Sequence, residues 1–181
     1  TITVLNEFRK INKEPRGKIF VTSGLGGMSG AQPKAGNIAG CITVCAEINI
    51  KAIKTRHSQN WVDEVIDDLK KLVDRVKSAQ KNKEVVSIAY HGNIVDLWES
   101  FYKNNLMVDI GSDQTSLHNP WSGGYYPVGY TFEEANKLIY KDPKKFKSKV
   151  KSTLKKHVEI INKHVKKGTY FFDYGNAFLL E

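Results

Sequence analysis

A glycine-rich stretch, Gly24 to Ala31, constrains what this chain can fold into more than any other feature. An apolar run, Lys18 to Ser23, precedes it, and a segment of small residues, Gln32 to Gly40, follows and is predicted to form a helix. Glycines let a backbone turn tightly and approach a phosphate closely, while a helix N-terminus offers free N–H groups. Taken alone, the pattern predicts only a phosphate-binding turn.

The chain has 181 residues and a formal net charge of +9. That length predicts one domain with its own core, and no apolar run approaches the roughly 20 residues that span a bilayer, so no membrane partner is expected. Much of the positive charge lies between Lys141 and Gly168, where apolar residues recur at helical spacing. The lysines fall mostly on the opposite face, and no aromatic residues are interleaved on that face for base stacking. A solvated helix face is therefore favoured over a nucleic-acid interface.

Apolar runs typical of strands alternate with segments typical of helices. Strands are predicted at 18–23, 41–47, 84–90, 107–110 and 170–172, and helices at 32–40, 61–76, 94–101, from Thr131, and from Pro143 to Lys167. Asn93, the Thr131–Glu134 capping box and Asp142 are the predicted N-terminal caps of the last three helices. The alternation predicts an α/β fold, a doubly wound Rossmann-like parallel sheet with helices on both faces.

Ligands of such sheets bind at the carboxyl ends of the strands. Residues suited to ligand binding follow all five predicted strands: the glycine loop, Glu47, His91–Asn93, Ser112–Ser116 and Asp173–Gly175. Five strand ends of this kind indicate a binding edge more strongly than the glycine pattern does alone.

The dinucleotide fingerprint is G-x-G-x-x-G/A with an acid about 20 residues further on. Gly24 and Gly26 supply the first two glycines, and Ser29 occupies the third position. Glu47 lies 20 residues beyond Gly27. A carboxylate accepts a hydrogen bond from a ribose 2′-hydroxyl and repels a 2′-phosphate, so the pattern predicts NAD rather than NADP.

The remaining reactive residue types suggest no other chemistry. Cys41 and Cys45 are interpreted as buried small hydrophobes of a strand, and a cytoplasmic, reducing compartment is expected. The five histidines lack metal-ligand spacing, so no metal site is predicted. A nucleophilic triad around His118 is disfavoured because no serine has the strand–turn–helix setting. The segment Trp121–Pro127 is compatible with a lid over a ligand or with a packing cluster.

Five motifs of the chain resemble the urocanase (urocanate hydratase) family and occur in that family's order. They are 21–33 (VTSGLGGMSGAQP), 90–93 (YHGN), 113–118 (DQTSLH), 124–127 (GYYP) and 172–176 (FDYGN). The resemblance implies that residues 1–181 are the NAD-binding domain of a longer urocanase chain. We therefore expect segments of the core, catalytic domain on both sides of it.

The resemblance also implies a chemistry. Urocanase is a hydro-lyase that holds NAD+ tightly as an electrophile, adding water to urocanate to give imidazolonepropionate in histidine breakdown. The catalytic cysteine motif of the family is absent here, so this chain is expected to hold no catalytic residue, to bind urocanate only with the missing core domain, and to be inactive alone. The full-length protein is expected to be a homodimer. Alternatives are the cofactor domain of an NAD-dependent oxidoreductase and, ranked lower, a basic nucleic-acid-binding module.

Cofactor contacts are carried over by motif. Gly27, Met28 and Ser29 would line the pyrophosphate, Glu47 the adenosine ribose, and Asn93 and Ile94 the adenine end. The other expected cofactor-binding residues are Gly26, Gln114, Thr115, Ser116, Leu117, His118, Tyr125, Tyr126 and Tyr174. The bacterial pattern has an Arg five residues after the strand-two acid. Here that position is Ala52, between Lys51 and Lys54, so no cationic contact is assigned there.

Overall fold

The computed structural model describes residues 5–6, 10, 14–27, 29–113 and 119–173. Within these ranges, six strands form one sheet in the order β3-β4-β2-β1-β5-β6, and every pair is parallel. The strands are β1 Ile19–Ser23, β2 Ile42–Glu47, β3 Glu64–Ile66, β4 Val86–His91, β5 Ile110–Asp113 and β6 Tyr170–Asp173. The prediction of a parallel Rossmann-like α/β sheet is confirmed.

Six α-helices connect or follow these strands in the described ranges. They are α1 Gln32–Ala39, α2 Ile50–Ser58, α3 Leu69–Lys81, α4 Ile94–Lys103, α5 Phe132–Lys141 and α6 Pro143–Lys166. The predicted caps are confirmed: the Asn93 side chain accepts from the Val95 N–H, Thr131 forms a capping box with Glu134, and Asp142 caps α6. No helix of the described part is long and apolar enough to cross a membrane.

Both faces of the sheet are covered by helices, as predicted. On one face, Ile and Val side chains of β1, β2 and β4 pack with buried residues of α3, α4 and α6. The opposite face carries Cys45 and Ala89, which pack with Ile53 of α2, and Phe20, which packs with Ala39 at the end of α1. A sheet buried on both faces needs continuous apolar strands, which explains why these runs did not alternate with polar residues.

The prediction of one helix over 61–76 is wrong. Residues Glu64–Ile66 form the edge strand β3, and the helix α3 begins only at Leu69, after Asp68 caps it by accepting from the Lys71 N–H at 2.7 Å. Val62 and Ile66 fall at helical spacing from Leu69 by coincidence. A three-residue strand is too short to display an alternation of its own, so the two elements appeared as one apolar stripe.

The fourth predicted strand, 107–110, is displaced along the chain. The strand is β5, Ile110–Asp113, whose last three residues are small or polar yet fully buried. Gly111 leaves room for Trp98, whose ring would lie 2.7 Å from a Cβ at that position. Ser112 and Asp113 hydrogen-bond to Thr22 and Ser23 of β1. These partners come from 90 residues away, so the sequence pattern did not indicate that the polar residues could be buried.

Candidate functional site

The parallel sheet brings the carboxyl ends of its strands to one edge. Glu47 at the end of β2 is paired with His91 at the end of β4, and Asp113 of β5 is paired with Asp173 of β6. Ser23 ends β1 between these two pairs and donates a hydrogen bond to Asp113. The residues that the sequence analysis picked out after separate strands therefore lie side by side, which is where ligands bind in open α/β sheets.

The glycine loop leaves β1 as a tight turn fixed by backbone hydrogen bonds. Gly24 adopts a left-handed conformation with φ of 85°, and its N–H donates to the carbonyl of Ala46 at 2.8 Å. Leu25 is buried. The chain then forms a short 3-10 turn, Ser29–Ala31, which leads directly into α1. The strand–glycine turn–helix arrangement predicted from the sequence is confirmed.

Glu47 braces this loop from the end of β2. Its Oε2 accepts from the Leu25 N–H at 2.7 Å, and its Oε1 accepts from the Asn49 N–H at 2.8 Å. One carboxylate thus joins the glycine loop to the turn after β2. Each carboxylate oxygen can accept a second hydrogen bond, and the side chain is only half-buried. Glu47 can therefore hold the loop and still accept from a ligand hydroxyl.

Arg56 of α2 also contacts the loop, and the sequence analysis did not identify it. Its Nε donates to the Leu25 carbonyl at 3.1 Å and its Nη2 to the Gly26 carbonyl at 2.6 Å. Arg56 lies four residues after Ala52, one turn further along α2. Ala52 is the position where the bacterial pattern has an Arg, and residues four apart are neighbours on the surface of a helix. This spacing could have pointed to Arg56, but only if residues 50–58 had been predicted to be helical.

Asn93 ties the β4 end to the segment before α5. Its Oδ1 caps α4, and its Nδ2 donates to the Tyr126 carbonyl at 2.9 Å. Ile94, the first residue of α4, is buried. The Tyr126 hydroxyl donates to Asn136 Oδ1 at 3.2 Å, and burial raises the pKa of Tyr126.

The Tyr125 side chain belongs to the core. Its hydroxyl lies 3.1 Å from Nδ1 of His157, and burial raises the pKa of Tyr125 well above its ordinary value. A ligand contact of Tyr125 would therefore come from its backbone. The surrounding segment also packs on α6, because the Val128 N–H donates to Thr153 at 3.1 Å. Of the two interpretations of Trp121–Pro127, this supports the packing cluster.

A cavity of about 370 Å³ opens between the turns after β2 and β4 and the start of α5. It is lined by Ile48, Ile50, Tyr90, His91, Gly92, Asn93, Asp96, Gly129, Tyr130, Thr131, Phe132, Glu133 and Glu134. Burial raises the pKa of Asp96, and the neighbouring charge of Glu99 adds to this. The cavity combines aromatic walls with carboxylate acceptors, so it suits a flat ring that carries hydrogen-bond donors.

The β1–β5 junction carries buried polar groups next to the glycine loop. Thr22 donates to Gln32 Oε1 at 2.8 Å and lies 2.9 Å from the Ser112 hydroxyl. The Gln32 Nε2 is buried and has no hydrogen-bond partner among the described residues. An amide nitrogen of this kind at the start of α1 is a donor that a bound ligand could satisfy.

Several predicted site residues lie outside the described part of the chain. These are Met28, Gln114, Thr115, Ser116, Leu117, His118 and Tyr174. Within the described ranges, no group of three or more His, Cys, Asp or Glu side chains could hold a metal ion. Both cysteines are buried and unpaired, and burial raises the pKa of Cys41 to about 11. They are therefore unreactive packing residues, as interpreted from the sequence.

Comparisons with known proteins agree with this geometry. The urocanase Rossmann-like domain matches residues 1–181. The chain is 53% identical to a probable urocanate hydratase of Caenorhabditis elegans, 54% to a probable urocanate hydratase of Dictyostelium discoideum, and 51% to the urocanate hydratase of Mus musculus. These matches cover 99 to 100% of the chain but only 27 to 28% of each relative. The chain belongs to the urocanase Rossmann-like domain family.

Proposed function

We propose that this chain is the NAD+-binding domain of a urocanate hydratase. The observation that carries the proposal is the row of donors and acceptors along one sheet edge, from the glycine loop through Glu47 to Asn93, in a chain that matches the family from end to end. A helix N-terminus behind a glycine turn is suited to a pyrophosphate, and an acid after the second strand is suited to a ribose.

The described residues fit such a cofactor chemically. The Gly26 and Gly27 N–H groups donate to none of the described residues, so both remain available to phosphate oxygens. Gln32 Nε2, at the start of α1, is a further buried donor. Glu47 retains acceptor capacity for a 2′-hydroxyl, while its negative charge opposes a 2′-phosphate, and this favours NAD over NADP.

The cavity between β2, β4 and α5 suits the adenine ring. Ile48, Tyr130 and Phe132 supply apolar and aromatic walls, and Asp96 supplies a carboxylate acceptor for an exocyclic amino group. Asn93 lines the cavity and Ile94 follows it as the first residue of α4, which supports their assignment to the adenine end of the cofactor.

When bound, NAD+ supplies an electrophilic nicotinamide that activates the imidazole ring of urocanate for the addition of water. This chain would bind and orient the cofactor. The hydro-lyase active site, urocanate binding and dimerisation would depend on segments that correspond to the remainder of the relatives, because the chain spans 27 to 28% of their length. A cytoplasmic enzyme of histidine breakdown is the setting that we infer.

The test titrates the protein with NAD+ and with NADP+. We expect at least about tenfold preference for NAD+, which corresponds to about 1.4 kcal/mol, and Glu47→Gln should abolish most of it. Glu99→Gln, on an exposed ion pair with Lys103 of α4, is the matched control and should leave the preference intact. Equal affinity of the wild type for both cofactors would exclude the ribose role of Glu47.

Activity is tested separately, with the coding sequence extended to the length of the relatives. We expect the extended protein to consume urocanate, followed by the loss of its ultraviolet absorbance, and the 181-residue chain to consume none. Reduction of the nicotinamide by some substrate, without urocanate turnover, would favour the oxidoreductase alternative.

A further inference from the structure

Arg56 holds the glycine loop by its carbonyl groups, and we infer that it is the positioning residue for the diphosphate of the bound dinucleotide. The inference rests on the proposed function and adds a residue that none of the motifs contains. Arg56 would act through the loop, by turning the loop's N–H groups toward the phosphates and by holding a positive charge behind them.

The contacts of Arg56 are all to uncharged acceptors in the described part of the chain. Its Nε and Nη2 donate to the carbonyls of Leu25 and Gly26, and its Nη1 donates to Gln59 Oε1 at 2.8 Å. The Gly26 carbonyl also accepts from the Gly30 N–H at 3.0 Å. Arginine presents a rigid fork of donors, so two such bonds fix the orientation of both peptide groups.

Fixing the Leu25 and Gly26 carbonyls also fixes the direction of the N–H groups that follow them in the chain. In a planar trans peptide, the N–H points opposite to the carbonyl of the preceding residue. Directing the Leu25 and Gly26 carbonyls onto Arg56 therefore points the N–H groups of Gly26 and Gly27 away from it. A flip of either peptide would present a carbonyl oxygen to the anion instead. Arg56 opposes that flip.

The guanidinium is itself held in place. It stacks over the Trp61 ring, with Cζ 4.9 Å from the ring centroid. Gly30 also lies against it, and a Cβ added there would fall 2.1 Å from Nε. Only glycine leaves this space, so the loop and the arginine fit each other closely. This gives Gly30 a role that the dinucleotide fingerprint does not assign to it.

The positive charge of Arg56 is not neutralised by an ion pair with any described residue. It lies behind the loop, half-buried, within hydrogen-bonding distance of the peptides that would contact the phosphates. A cation in this position strengthens the anion-binding field of the loop and the α1 N-terminus.

The experiment titrates the 181-residue chain calorimetrically with ADP, which carries a diphosphate, and with adenosine, which does not. Arg56→Gln should weaken ADP binding by about tenfold or more, while adenosine affinity changes by less than about twofold. Arg56→Lys keeps the charge but cannot bridge two carbonyls, so it should recover only part of the ADP affinity. Arg75→Gln, an arginine of α3, is the control and should leave both affinities unchanged.

The outcomes distinguish a positioning role of Arg56 from a role in fold stability or a role of its charge alone. Equal weakening of ADP and adenosine by Arg56→Gln would assign Arg56 to fold stability alone, and complete recovery by Arg56→Lys would assign the effect to charge alone. Either result overturns the inference, as does an Arg56→Gln variant with unchanged ADP affinity. A wild type that binds neither ADP nor adenosine contradicts the proposed function itself.

Discussion

Arg56 and Arg75 each hold one part of this domain together through a guanidinium group, and we call these two clusters of residues corners. The positive charge is retained in one corner and cancelled in the other. In the Arg56 corner, formed by Arg56, the glycine loop and Trp61, the acceptors are backbone carbonyls. In the Arg75 corner, formed by Arg75, Glu64 and Glu84, the acceptors are two carboxylates, each reached at 2.7 Å.

The difference explains which corner can serve a ligand. Glu64 begins the edge strand β3 and Glu84 precedes β4, so Arg75 links two strands and its charge is cancelled within the fold. Arg56 keeps its charge at the binding edge, because neutral carbonyls do not cancel it. A buried or half-buried cation without a carboxylate partner is unfavourable for folding alone, and an anionic ligand offsets that cost.

The largest expected effect is a loss of stability in acid that both corners share. Burial lowers the pKa of His157 in α6 to about 4, although Asp113 opposes this, against 6.5 as the ordinary value. The unfolded chain therefore takes up a proton that the folded chain excludes as pH falls from 6.5 to 4. We expect a loss of about 3 kcal/mol of unfolding free energy over that interval and none above it.

Urea unfolding of the wild type and of His157→Gln at several pH values between 7.5 and 4.5 checks this. The variant should lose less stability on acidification than the wild type. Burial also lowers the pKa of His164, so some acid dependence should remain in the variant. Parallel curves for the two proteins would remove His157 as the cause. Below pH 6.5 the two corners are therefore compared only through differences between proteins at the same pH, because the contribution of His157 is common to them and cancels.

The second prediction breaks the Arg56 corner without changing its charge. In Gly30→Ala, the new Cβ would fall 2.1 Å from Nε of Arg56, so the guanidinium must leave the Leu25 and Gly26 carbonyls. We expect ADP affinity to fall about tenfold, or about 1.4 kcal/mol. Stability should change little because only the end of a flexible side chain moves.

A double-mutant cycle measured by calorimetry tests the cause. Gly30→Ala added to Arg56→Gln should weaken ADP binding no further, because both changes remove the same interaction. Additive losses would mean that Gly30 acts on the ligand independently of Arg56.

The third prediction breaks the Arg75 corner. Arg75→Gln leaves Glu64 and Glu84 without their shared cation, and the half-exposed network is worth about 1 kcal/mol of unfolding free energy. Thermal unfolding at pH 7.5 should therefore show a decrease in Tm of about 2 to 4 °C for a domain of this size. ADP affinity should stay at the wild-type value, and a loss of affinity would contradict the separation of the two corners.

The smallest effect is a difference in acid response between the corners. Hydrogen bonds from Arg75 and then from Asn82 hold the pKa of Glu84 below its ordinary 4.5. Its contribution is complete above that value and disappears as pH falls through the lowered pKa. The stability difference between wild type and Arg75→Gln should consequently shrink from pH 5 to pH 3.

The difference between wild type and Arg56→Gln should not shrink in the same way, because the carbonyl acceptors of Arg56 do not titrate. Denaturant unfolding of the three proteins at matched pH values measures both differences. An equal response of the two variants would contradict the distinction between carboxylate and carbonyl acceptors.

The sequence predicted the helix starts correctly where neighbouring residues alone determine them. Asn93, the Thr131–Glu134 capping box and Asp142 satisfy the free N–H groups of the next few residues, so their positions were readable directly. The helix α2 was missed because Ile53 is its only buried residue, and a single apolar position shows no period. Arg56 was missed with it, because its role depends on where α2 lies.

Sequence alone determined the family, the parallel α/β class, and the places along the chain where strands end in glycines, acids and amides. Those features depend on residue order and on chemistry within a few positions. Tertiary structure alone decided that Glu47 and Arg56, 22 and 31 residues from Leu25, meet at the backbone of the glycine loop. The physical reason is that parallel strands align their carboxyl ends at one edge, where groups distant in sequence share the same few peptides.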